Sequence, residues 1–363
     1  VWSNVSRAVD MRRDRQFGDD SGVSEILGVT MLLAMVVAIM SAVVVFLQPF
    51  VIDLNDNRAW AAGGVTAEQM NDRILVVAGM PNGTGLVHQT GIPGGSIDVL
   101  FNIESWTIGA DIYGNDRVEV FRNGSGIVIN SDNRTAETIK IWTDGEQAGH
   151  WINDAWITEW SMIEWETIIT DSLSYISTLR VDILDRNGTP IHRWMEINID
   201  GLRLSSPLAE GTFVVDLSNG AIIEKLPNKN LAIESFPRLS YRETIDGGHV
   251  VRFVLLDINV DNAATDLNRD LDLTSRGSEM LFDVEHARNL VLGMDIGGDS
   301  TVEPRYIDHW TSEHEVLIAT GDLEGYTGFG PKGPLSGAEG LTFHSDPSHF
   351  QLEVLLQRVE VVP

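Results

Sequence analysis

From Ile26 to Ile52 the chain runs ILGVTMLLAMVVAIMSAVVVFLQPFVI, 27 residues without one charged side chain. As a helix rising about 1.5 Å per residue this segment would be roughly 40 Å long, and a bilayer's hydrocarbon core of about 30 Å needs only about 20 residues. A buried core helix would carry a polar stripe, and this one has none. The segment therefore reads as a transmembrane helix, with Pro49 near its end, where a kink or stop is tolerated.

Charge on either side sets the expected orientation. Arg7, Arg12, Arg13 and Arg15 precede the apolar run, whereas Asp53, Asp56 and a strongly acidic body follow it. Lys and Arg near the ends of a span favour the cytoplasmic side, which places the leader inside and the body outside. The apolar run is also longer than the 7–15 residues typical of a secretory signal, and no small-x-small cleavage site follows it. A start at Met11 would leave Met11–Gly22 as a short basic-then-polar leader.

The junction ahead of the helix reads Asp19-Asp20-Ser21-Gly22-Val23-Ser24-Glu25-Ile26-Leu27-Gly28-Val29. Over about residues 21–52 it resembles the class III signal of archaeal type IV pilin-like proteins: a polar leader ending in Gly, then V-S-x-x-[IL]-G-V opening the hydrophobic helix. It departs from that pattern in its acidic Asp19 and Asp20 and in Glu25. The resemblance implies cleavage between Gly22 and Val23 by a prepilin peptidase on the cytoplasmic side, with the helix retained. It also implies association with other pilin-like subunits through that helix. Under this reading Glu25 pairs with a neighbouring subunit's amino group, because an unpaired carboxylate in lipid is costly; the alternative is an interfacial Glu among head groups.

The chain has 53 acidic against 25 basic residues for a net charge of −28, which excludes a general nucleic-acid binder. Only Lys140, Lys225, Lys229 and Lys332 are lysines. Such a carboxylate-rich, lysine-poor surface resembles proteins of salt-loving archaea; an ordinary acidic secreted protein is the plainer reading. Without Cys, neither disulfides nor thiolate chemistry is available.

Past Asn57 short β-branched runs alternate with Asn-Gly and Gly-Gly turn signals. They predict strands over Arg73–Ala78, Ser96–Ile103, Arg117–Phe121, Gly126–Asn130, Thr138–Trp142, Leu179–Leu184, Ile191–Ile199, Gly211–Leu217, His249–Val260 and Phe350–Val362. Ala155–Ile176 breaks the rhythm, with Trp156, Trp160, Ile163, Ile168 and Ile169 near helical spacing, and predicts one inserted helix. The expected fold is mainly β: a leader (1–22), the membrane helix (23–57), and a large extracellular, sandwich-like head in two parts, 58–225 and 238–363. The boundary is placed in Glu224–Pro237, and Tyr326–Pro347 reads as a long surface loop.

Signals for chemistry are sparse. His309/His314 and His344/His349 are five apart, the wrong spacing for one helical face, and no H-E-x-x-H occurs. Asp266, Asn268, Asp270 and Asp272 copy the first four ligand positions of a calcium loop, but Leu271 and Gly277 stand where Gly and Glu are required. The stretch reads as a solvated acidic loop, with a loose calcium site there or around Asp257, Asp261 and Asp266 the alternative. No other cofactor is expected, and no catalytic constellation is legible. Asn82, Asn123, Asn133 and Asn187 each begin an N-x-[ST] glycan acceptor. A carbohydrate could meet Trp142, Trp151, Trp156, Trp160 or Trp165, although core packing accounts for them equally.

Together these features point to a minor or adhesive pilin-like surface subunit, since the head is large for a major pilin. The alternative is a surface receptor or adhesin that shares the anchor and never polymerises.

Overall fold

One 62-residue helix, α1 (Phe17–Ala78), opens the fold. The computed structural model describes residues 17–90, 95–113, 118–123, 126–131, 138–144, 146–152, 161–164, 177–227, 232–235, 239–243, 249–261, 270–296, 327–331, 339–343 and 350–363. Two compact units divide the chain, Val1–Ala59 and Trp60–Pro363. In the first, the helix carries no charge from Ile26 through Ile52, is exposed along that run, and bears Pro49.

The helix does not stop at residue 57, and Arg73–Ala78 is its last stretch, not a strand. A short apolar run such as Ile-Leu-Val-Val-Ala fits either state, and burial decides it here. Ala67, Met70, Asn71, Ile74, Val77 and Ala78 are buried at steps of three and four, the spacing of one helical face. Met80 N–H closes the final turn on Val77 O at 2.9 Å, and the Ser275 hydroxyl donates to Met80 O at 2.9 Å.

The strands of the second unit are β1 (Gly85–Gln89), β2 (Ser96–Asp111), β3 (Val118–Asn123), β4 (Gly126–Ser131), β5 (Thr138–Thr143), β6 (Glu146–Ile152), β7 (Ser161–Glu164), β8 (Thr178–Leu184), β9 (Pro190–Leu208), β10 (Gly211–Ser218), β11 (Ala221–Lys225), β12 (Ala232–Ser235), β13 (Leu239–Glu243), β14 (His249–Val260), β15 (Asp270–Ile296), β16 (Thr327–Pro331), β17 (Glu339–Phe343) and β18 (Phe350–Val362). The main path of the large sheet is β12-β11-β10-β9-β2-β15-β18-β14-β13, and β3-β4-β7 form a separate three-stranded sheet. A β-rich body behind a single apolar helix is thus the architecture.

β15 makes the sheet turn over on itself. Its first part pairs with β18 and its last part, Arg288–Ile296, pairs with β2, with register shifts at Ser275/Gly277, Met280/Phe282, Val284/Ala287 and Arg288/Val291. Each irregularity bends and twists the strand. Phe253 of β14 consequently packs edge-on against Trp106 of β2, ring centroids 4.9 Å apart, in a sandwich-like first core.

A second core lies on the other face of the same strands. Met195, Ile197 and Ile199 of β9 enter the first core, whereas Leu202 and Leu204 enter the second, and successive strand residues point to opposite faces. β14 behaves alike, with Phe253 and Leu255 in the first core and Leu256 and Ile258 in the second. The buried face of Ala67–Ala78 completes this second core against Phe213, Val215 and Leu217.

Three local expectations need correction. Strands on either side of Glu224–Pro237 share one sheet and one core: Ile223 of β11 pairs with Ile233 of β12, and Ala221 and Ile223 pack with Phe253 and Leu352. Within Ala155–Ile176, the described residues Ser161–Glu164 are strand β7, paired with β4; the rest of that segment lies outside the described residues. The hydrogen bonds of a sheet edge override a weak helical spacing there. Tyr326–Pro347 contains the antiparallel pair β16–β17, joined to β15 through β17.

Turn chemistry is direct. Asn219 and Gly220 link β10 to β11 with φ of +49° and +78°, the left-handed values of a type I′ hairpin.

Candidate functional site

All side chains from Ser24 to Ile52 are exposed within the described structure, including Ile26 (68%), Leu32 (67%) and Phe46 (70%). Leaving such surface in water costs about 25 cal/mol per Å², a penalty that vanishes in hydrocarbon. With a mean hydropathy of 2.8 over its most apolar window, this helix is long and apolar enough to cross a membrane. Polar groups in the run are handled internally. The Thr30 hydroxyl lies 3.0 Å from both Ile26 O and Leu27 O, so it donates within its own helix. Pro49 has no N–H for Val45 O, and Ser41, Ala42, Val45, Phe46, Pro49 and Phe50 line a shallow apolar notch there.

Gly22 and Val23 lie in helical backbone, and Glu25 is exposed at the polar end of the apolar run. Gly18 and Gly22 weaken the first turns of α1, each costing a helix about 1 kcal/mol relative to Ala. The basic residues Arg7, Arg12, Arg13 and Arg15 lie outside the described residues.

Two of the four glycan acceptors sit on exposed turns. Asn82 precedes Gly83 (φ +79°), with the Thr84 hydroxyl donating to Pro81 O at 2.6 Å. Asn187 precedes Gly188 (φ +80°), and its N–H donates to Asp185 Oδ1 at 2.8 Å. Asn123 ends β3 and pairs with Gly126, while Asn133 lies outside the described residues.

Two of the four residues with calcium-like spacing fall on extended chain. Asp270 and Asp272 belong to β15, opposite Gln89 and Val87 of β1, so they are not part of a chelating loop. β15, one of the strands that the sequence does not predict, begins at Asp270; Asp266 and Asn268 lie outside the described residues. No group of three His, Asp or Glu ligands occurs among the described residues. Of the four histidines with five-residue spacing, none lies within them.

Of the titratable groups that the fold does bring together, the sequence singled out only Asp257, as a candidate of a loose calcium site. Glu104, 1% exposed, accepts from Ser218 Oγ (2.6 Å), Trp106 Nε1 (2.7 Å) and Asn219 Nδ2 (3.1 Å). Asn219 Oδ1 in turn accepts from Leu256 N–H at 2.8 Å. On the opposite face of β2 and β9, buried Asp111 meets His192 Nδ1 at 2.7 Å, and His192 Nε2 is buried without a hydrogen-bond partner among the described residues. Asp257 accepts from Asp200 N–H at 3.0 Å; burial, with the like charge of Asp200 adding to it, pushes its carboxyl up to about 6, against the pull of that N–H and Arg358.

Trp142 is half-buried with the Arg180 guanidinium 4.5 Å from its ring centroid, so that ring face is already covered. Trp156, Trp160 and Trp165 lie outside the described residues. Comparison with protein-family models, curated proteins and solved structures yields no match for this chain.

Proposed function

We propose that this chain is a surface protein held in the membrane by α1, with its leader in the cytoplasm and its β-rich unit outside, assembled as a minor or adhesive pilin-like subunit. The observation that carries the reading is the uncharged, fully exposed helix of Ile26–Ile52 directly behind the Gly22-Val23-Ser24-Glu25 junction. A junction before the apolar run retains that run after cleavage, so the mature chain stays amphiphilic. Its partners are the bilayer, a prepilin peptidase and the helices of other pilin-like subunits. In the assembled state Glu25 neutralises a neighbouring amino terminus; in a lone chain it stays among the head groups.

The size of the β-rich unit favours one further reading, a single-pass receptor or adhesin that uses the same insertion route and never polymerises. Expression with and without a prepilin peptidase, followed by separation of membranes from sheared surface filaments, distinguishes the two. A size shift together with a sheared fraction supports the subunit; a processed chain that stays wholly in the membrane supports the lone adhesin. An unshifted chain that never leaves the membrane overturns the pilin-like reading.

A further inference from the structure

In a chain of net charge −28, one face of β5, β8 and β9 carries more cations than carboxylates. Residues directly opposite one another in antiparallel strands share a face. Lys140 of β5 stands opposite Asp182 of β8, which stands opposite Arg193 of β9, and Trp142 stands opposite Arg180 in the same way. Lys140 and Arg180 are therefore diagonal neighbours, about 7–8 Å apart at the backbone, so their long side chains can reach one ligand. Lys140 is one of only four lysines in the chain.

Asp182 is the one carboxylate on this face among the described residues of the three strands. Its Oδ1 accepts from Arg193 Nε at 2.7 Å, while Arg180 Nε lies 3.1 Å from Oδ2, off the hydrogen-bond direction. Arg193 also donates to Leu281 O at 3.1 Å. The terminal N–H groups of Arg180 and the Lys140 ammonium have no partner among the described residues. Trp142 Nε1 is buried and equally without an acceptor among them.

Neighbouring acids do not fill the gap. Glu279 of β15 approaches Arg180 but is bound by Arg358 at 3.1 Å. Asp144, just past β5, accepts from the N–H groups of Ser177 and Thr178 at 3.0 and 2.8 Å. Burial is the largest influence lowering the Arg180 pKa from its ordinary value, and Arg193 adds to it against Asp182 and Glu279. The face is thus short of both acceptors and negative charge. Trp142, with its ring centroid 4.5 Å from the Arg180 guanidinium, covers one side of that group and leaves its N–H edge free. A guanidinium held in one plane matches the two oxygens of a carboxylate.

We propose that Arg180, Lys140 and Trp142 form a binding site for a carboxylate, presented by an acidic sugar residue or by a small organic acid. Arg180 supplies the two-pronged contact, Lys140 a second positive charge, and Trp142 holds the guanidinium in place. The site rests neither on the membrane anchor nor on polymerisation.

Titration of the detergent-solubilised full chain tests this at low salt, where ion contacts are least screened. The readout is the indole N–H signal of Trp142 in tryptophan-labelled protein, assigned by its loss in Trp142→Phe. Sodium glucuronate is expected to shift it saturably, and the neutral methyl glucoside is expected to leave it in place. Glucuronate binding more tightly than acetate assigns the carboxylate to an acidic sugar; equal binding assigns it to a small organic acid. Arg180→Lys keeps the charge and loses the fork, and is expected to bind about tenfold more weakly. Lys140→Gln is expected to bind about threefold more weakly and serves if the first variant does not fold. No saturable shift with either carboxylate, an equal response to methyl glucoside, or wild-type affinity in either folded variant overturns the site.

Discussion

The indole N–H of Trp106 donates to Glu104 Oε2 across 2.7 Å, both residues being buried and two apart on β2. Ser218 at the end of β10 and Asn219 in the β10–β11 turn reach the same carboxylate, while Asn219 also holds Leu256 of β14. One side chain thereby joins a central strand, a hairpin turn and the strand that folds over them. Glu104→Gln replaces one acceptor oxygen with a donor that faces existing donors, and is expected to cost about 1–3 kcal/mol. Glu104→Ala, which strands all three donors, is expected to cost more. Denaturant midpoints of the detergent-solubilised chain check the order; Gln equal to wild type would contradict it.

Gly63 shows why a glycine persists inside α1. A Cβ there would lie 2.8 Å from Phe213 Cε1, and Phe213 is 1% exposed, so its ring has little room to retreat. Gly63→Ala gains about 1 kcal/mol of helix propensity but overpacks the second core, typically costing about 1–3 kcal/mol. The net result is expected to be a lower thermal midpoint. A raised midpoint would mean that the helix and β10 separate more easily than this contact implies.

His88 is 1% exposed, and neither ring nitrogen has a hydrogen-bond partner among the described residues. Burial, and then the nearby Arg73 guanidinium, lower its pKa below the usual imidazole value. The unfolded chain therefore binds a proton near pH 6.5 that the folded chain refuses, so stability is lost as pH falls from about 6.5 toward the lowered folded value. His88→Leu removes this loss. Its stability relative to wild type is expected to grow on acidification, by a fraction of the ~1.4 kcal/mol per pH unit that one full proton represents. A pH-independent difference between the two chains would exclude this role.

Asn187 and Asn82 stand on exposed turns with their acceptor sequences intact. In a host that glycosylates the outer face, Asn187→Gln and Asn82→Gln are each expected to lose one glycan mass by intact mass spectrometry. An unmodified wild-type chain from such a host would argue against an outward-facing unit.

Much of the β-rich unit is readable from local signals, because period-two burial and left-handed Asn-Gly turns are properties of neighbouring residues. Asn219-Gly220 carries the two left-handed residues that a two-residue hairpin requires. β15 is unreadable for the opposite reason. Its bulges shift the phase, leaving Ser278, Glu279 and Met280 exposed in succession before Leu281 and Phe282 are both buried. Asp270 and Asp272 then look like a loop. The buried Glu104 is hidden as well, since a charged residue ordinarily reads as solvated and its partners Ser218 and Asn219 lie 114 and 115 residues away. Arg73–Ala78 fell between the two states, its six residues being too few to show a period.

The central claim is that the apolar helix is a retained anchor with its processing point ahead of it. Intact mass and N-terminal peptide analysis of the membrane-extracted chain, produced alongside a prepilin peptidase, test it most directly. The mature chain is expected to begin at Val23 and to keep Ile26–Ile52. A chain beginning beyond Ile52, or one still carrying Gly22 and its leader despite an active peptidase, would contradict the account.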